Sequence, residues 1–98
     1  MTKEQVLTRL HDYVKSENNF SALDGSQTWY HYIENLFEYN DSEIRCYIVV
    51  NEDHVLIIIP KISLIHGFYI KVKRVYFDQV NSVSEDIISL IAYYIKEM

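Results

Sequence analysis

The fold turns on residues 44–77, IRCYIVVNEDHVLIIIPKISLIHGFYIKVKRVYF. Ile44, Cys46, Ile48 and Val50 fall on one side of an extended chain, with Arg45, Tyr47 and Val49 on the other. That is the period of two of a β-strand. Asn51-Glu52-Asp53 reads as a turn. Val55–Pro60 is apolar without a break, which predicts a strand buried on both faces. Lys61–Gly67 reads as a loop or a ragged extension of that strand, and Phe68–Phe77 as a long third strand. Its alternation sets Phe68, Ile70 and Val72 against Tyr69, Lys71 and Lys73, and then slips. A β-bulge near Lys73-Arg74 would return Val75 and Phe77 to the apolar side. The short links between the three strands predict an antiparallel meander.

Working outward, residues 2–17 carry Val6, Leu7, Leu10 and Val14 at helical spacing, and Thr2 with Gln5 completes a capping box. Residues 17–26 are rich in turn formers and read as a loop, pinned to the core by Phe20 and Leu23. In residues 27–39, Trp29, Ile33, Leu36 and Phe37 share a helical stripe. The spacing favours a helix, although Thr28–Ile33 is also rich in strand formers. At the other end, Ser82–Glu85 reads as a capping box. Val83, Ile87, Leu90, Ile91, Tyr94, Ile95 and Met98 trace one face of the helix that follows it. The order α-(α)-β-β-β-α, with both long helices on one sheet face, predicts a two-layer α+β domain spanning 1–98. Half of the apolar side chains of Val55–Pro60 then point away from the helices. They need a cover, from the Trp29 segment, a different protein, or a homodimer formed through the outer sheet face.

Charge is unevenly placed. Residues 1–53 carry ten acidic and four basic side chains, residues 54–77 four basic and no acidic ones, and residues 78–98 four acidic and one basic. The net of −5 argues against a general polyanion binder. A lone cysteine, Cys46, excludes an internal disulfide and fits a reducing compartment. No signal-like or membrane-spanning apolar run is present, so the expected location is the cytoplasm. Thirteen Ile and nine Tyr against two Ala, two Gly and one Pro fit an AT-rich gene, as in a low-GC bacterium, a phage or a horizontally transferred island.

No phosphate loop, nucleophile elbow or zinc motif occurs, so neither enzymatic activity nor a cofactor is expected. His11, His31, His54 and His66 have no partners at metal-ligand spacing, and no metal site is expected. Cys46 lies between Ile44 and Ile48 on the apolar side of its strand and reads as a small hydrophobe. The densest functional cluster is acidic and aromatic: Tyr30, Glu34, Glu38, Tyr39, Asp41 and Glu43. Tyrosine offers contact area at low entropy cost, which suits a protein interface. An alternative basic surface would combine Tyr69, Lys71 and Lys73 with Arg45 and Tyr47 of a neighbouring strand, in the manner of a single-stranded nucleic-acid platform. Lysines that solubilise and protect an outer strand explain the same residues more simply.

In size and acidic balance the whole chain resembles the small immunity proteins of bacterial competition systems. That resemblance implies an inhibitor, an immunity protein or antitoxin that occludes the site of a cognate toxin such as a nuclease. Other readings of the same features are a phage-encoded inhibitor of a host defence protein, a nucleic-acid-binding module using the basic strand, and an acidic dimeric secretion chaperone. The expected partner is therefore a protein with a basic surface.

Overall fold

The computed structural model describes residues 1–23, 35–79 and 86–98. The elements are α1 (Lys3–Ser16), β1 (Phe20–Ala22), β2 (Leu36–Asn40), β3 (Arg45–Val50), β4 (His54–Ser63), β5 (Gly67–Tyr76), a single 3-10 turn at Phe77–Gln79, and α2 (Ile87–Glu97). The five strands form one antiparallel sheet in chain order.

Strand register decides which side chains meet the helices. Phe20, Tyr39 and Cys46 fall in one row, and Ala22, Phe37, Ile48 and Ile57 in the next. Val55 lies opposite Val75. These residues face α1 and α2, and the core forms there from Val6 and Leu10 of α1, Ile87 and Ile91 of α2, and the inward residues of the sheet. Phe20 and Phe37 stack at its centre with ring centroids 5.5 Å apart. The domain is thus two-layered, with both helices on one face.

Thr2 caps α1 through the expected box, accepting from the Gln5 backbone N–H at 3.2 Å while the Gln5 side chain accepts from the Thr2 N–H at 2.8 Å. The expected box at Ser82–Glu85 lies outside the described residues. The N-cap of α2 is Asp86, whose carboxylate accepts from Ile88 N–H at 3.4 Å. The same carboxylate takes a two-pronged contact from Arg9, with Nε at 2.9 Å, and so ties the start of α2 to α1.

Four expectations need correction. The sheet has five strands, not three. Residues 36–39 belong to β2 instead of a helix, and Asn35 at φ 58° shows why. A left-handed residue stops a helix, and asparagine accepts that conformation readily. The remainder of the helix expected over 27–39 lies outside the described residues, apart from Asn35. Residues 20–22 within the expected loop form β1, because Phe20 gains a buried place opposite Tyr39. Finally, β5 has no bulge: its pairing with β4 is unbroken from His54↔Tyr76 to Ser63↔Gly67. The slip in its pattern marks a change in which face is apolar. Near Val75 the helix side is the core. Farther along, Phe68, Ile70 and Val72 face away from the helices.

This one-sided core sets a contrast in stability. Ile57→Ala empties a fully buried site and should cost about 3 kcal/mol in urea unfolding. Leu64→Ala, at the fully exposed tip of the β4–β5 hairpin, should change stability by less than about 0.5 kcal/mol. Equal losses would mean that the core is wrongly placed.

Candidate protein-binding site

At the sheet end where α1 stops, three acidic residues, Glu17, Asp41 and Glu43, lie near Tyr39. The Tyr39 hydroxyl donates to Asp41 Oδ2 at 2.9 Å. Asp41 Oδ1 accepts from the backbone N–H groups of Glu43 and Ile44, both at 2.8 Å, which closes the β2–β3 turn. Glu17 at the C-cap of α1 is close enough to add to the negative field on Tyr39. Glu38 follows from β2 with its side chain on the opposite sheet face, in the row of Tyr47 and Ile58.

The titration behaviour follows from these contacts. The hydrogen bond to Asp41, with burial and the surrounding negative charge, pushes Tyr39 up to about 12. The two backbone donors and the tyrosine hydroxyl hold Asp41 below the usual carboxylate range.

Beneath the acidic rim, between the two helices and the sheet, runs a groove of ≈ 330 Å³. Its floor is apolar, from Tyr13, Phe20, Ile44, Ile88 and Ile91, and its rim carries Asp41, Glu43 and Lys96. Sequence reasoning selected Glu38, Tyr39, Asp41 and Glu43 but missed the groove. Phe20 was hidden in a turn-rich segment, and Tyr13 looked like an ordinary stripe neighbour. Tyr30 and Glu34 lie outside the described residues.

The basic residues are distributed differently from the expected platform. Tyr69, Lys71 and Lys73 share the helix-side face of β5, whereas Arg45 and Tyr47 face the other way from β3. Lys71 Nζ donates to the Met98 carbonyl at 2.7 Å, and Lys73 Nζ stands 4.8 Å from the centre of the Tyr94 ring. The five residues therefore do not form one surface.

Cys46 is fully buried, and burial pushes its thiol up to about 11. Among the described residues, no three metal-ligating side chains converge, and no helix is long and apolar enough to cross a membrane. No protein-family model, curated protein or solved structure matches this chain.

Asp41→Asn should bring the Tyr39 ionisation down toward 10, read by ultraviolet difference spectroscopy of tyrosinate. The wild-type pair has two linked limits. Because the fold raises Tyr39, its contribution is complete below pH 10 and fades as pH rises through about 12. Because the fold lowers Asp41, its contribution is complete above the ordinary carboxylate range and fades as pH falls through the lowered value. A Tyr39 titration unmoved by Asp41→Asn would contradict the bond.

Proposed function

We propose that this chain is a small acidic inhibitor that binds another protein, an immunity protein or antitoxin that covers the site of a cognate toxin in the cytoplasm. The observation that carries the reading is the groove with its acidic rim. An apolar floor beside Asp41 and Glu43, with Glu17 adding negative charge near Tyr39, fits an apolar anchor side chain flanked by lysine or arginine. Among toxins, a nuclease offers that chemistry, because its phosphate-binding surface is basic. Negative charge around an apolar recess also speeds encounter with a basic partner. A nucleic-acid reading has less support, since the basic residues are divided between two sheet faces and Lys71 and Lys73 contact α2.

Asp41 holds the turn, so the informative reversals are Glu17→Lys with Glu43→Lys. The double variant should bind a captured partner with an on-rate lower by roughly tenfold at low salt and a weaker dependence on ionic strength. Ile88→Glu, which puts a charge in the groove, should raise the off-rate. Unchanged rates in both variants, with circular dichroism showing intact folds, would remove this surface as the site. A toxin gene immediately upstream would separate immunity from a phage anti-defence role.

A further inference from the structure

Among the described residues β5 is the last strand of the sheet, and its open edge has several features of a pairing surface. Phe77 N–H donates toward β4, to the Asp53 carbonyl at 2.9 Å, whereas Tyr76 N–H donates to the Gln79 side chain at 2.7 Å. Backbone groups of successive residues point to opposite edges of a strand in an antiparallel ladder. Phe68, Ile70, Val72 and Arg74, in step with Tyr76, therefore direct their N–H and C=O groups to the open edge. Natural edges are commonly guarded by lysine. Here Lys71 and Lys73 are turned to the helix face, against the Met98 carbonyl and the Tyr94 ring.

Apolar side chains accompany the open backbone. β3 pairs with β4 only as far as Tyr47↔Ile58, while β4 runs on to Ser63 and β5 returns from Gly67, so the end of the hairpin extends as a two-stranded arm. On the arm Ile62 is 86% exposed, Leu64 108%, Ile65 88%, Phe68 70%, Ile70 54% and Val72 50%. Of these, Phe68, Ile70 and Val72 lie on β5 itself, beside its open edge.

We propose that β5 pairs edge to edge with β5 of a second copy of this chain, antiparallel, about a two-fold axis passing through Ile70. The strand is self-complementary about that residue. With the axis there, Ile70 faces Ile70 of the second copy in a hydrogen-bonded pair. Phe68 faces Val72 of the second copy on the outer side, an aromatic–β-branched pair. Tyr69 faces Lys71 of the second copy on the helix side, in a non-hydrogen-bonded pair where side chains approach most closely. Lys73 meets Gly67, which has no side chain to obstruct it. Other registers are poorer. An axis through Lys71 sets that lysine against its own copy, and one through Val72 sets Lys71 against Lys73, both like-charge pairs. An axis through Tyr69 leaves Val72 opposite His66, beyond the strand. A strand from an unrelated protein would need no such symmetry, and the symmetry favours a second copy as occupant.

This contact is separate from the acidic groove and is distinguishable from it by salt. Both strands bring Lys71, Lys73 and Arg74 to the dimer, so added salt should strengthen it, whereas the acidic contact should weaken. Sedimentation equilibrium of the full chain should approach twice the 11.7 kDa mass as concentration rises through the micromolar range. Ile70→Lys, which puts like charges on the axis at a half-exposed site, should raise the dissociation constant roughly a hundredfold. Circular dichroism should show its fold unchanged. A short bis-maleimide should link Ile70→Cys to its own copy but not Leu64→Cys, whose two copies would stand about 30 Å apart. The proposal is overturned by a monomer mass at every concentration up to about 1 mM, by an undiminished dimer in Ile70→Lys, or by equal cross-linking of the two cysteine variants.

Discussion

The pairing of β4 with β5 is the constraint on which the rest of the structure depends. Its unbroken register places Val55, Ile57, Ile59 and Val75 under the two helices and sends Phe68, Ile70 and Val72 to the other side. A shift of β5 by one residue would turn that strand over, taking Val75 out of the core and bringing Arg74 to face the helices. Burial of one face therefore fixes the register, and the register exports an apolar stripe along the arm.

The helices have a limited reach, and that limit explains the division of the sheet into a packed part and a projecting part. α2 starts at Asp86, clamped by Arg9, and ends where the Met98 carbonyl meets Lys71. Inward residues of β4 up to Ile59 are buried, whereas Lys61 and Ser63 in the same row are only partly covered. The helix-side face of the arm is polar past the residues that α2 covers. A contiguous apolar stripe on the opposite face is a candidate interaction surface. The change of pattern near Lys73 thus marks where burial by the helices ends.

Much of this was legible in the residues. Alternation located β3, β4 and β5 to within a few positions, and Thr2 with Gln5 marked the start of α1. The location of Cys46 on the apolar side also followed from spacing alone. What failed depended on distant partners. Phe20 has no local signal for a strand, since β1 exists because β2 supplies its ladder. Leu36 and Phe37 fit a helical stripe equally well, and the left-handed Asn35 decides against it. The slip in β5 has two local solutions, a bulge or a change of buried face. Only the position of α2 chooses between them. The groove was illegible for the same reason: Tyr13, Phe20, Ile44 and Ile88 come from four parts of the chain.

Charge placement shows why a linear sequence misleads about surfaces. Residues 54–77 hold four basic side chains and no acidic ones, which resembles a basic patch when read along the chain. In the fold, Lys71 and Lys73 point to the helix side, where one meets a backbone carbonyl at a helix end and the other an aromatic ring. Arg74 points to the opposite face, in the row of Leu56 and Val49. Two side chains of opposite orientation on one strand cannot act as one electrostatic surface, however close they are in sequence. The acidic residues behave in the converse way. Glu17, Asp41 and Glu43 come from a helix end and a strand turn, yet Glu17 acts on Tyr39 while Asp41 and Glu43 line the mouth of the groove that Tyr39 shares. A concentrated field above an apolar recess combines long-range steering with short-range anchoring. A basic strand whose lysines are turned inward offers neither, which makes the acidic groove the stronger candidate for a foreign partner and leaves the β5 edge to a copy of the chain itself.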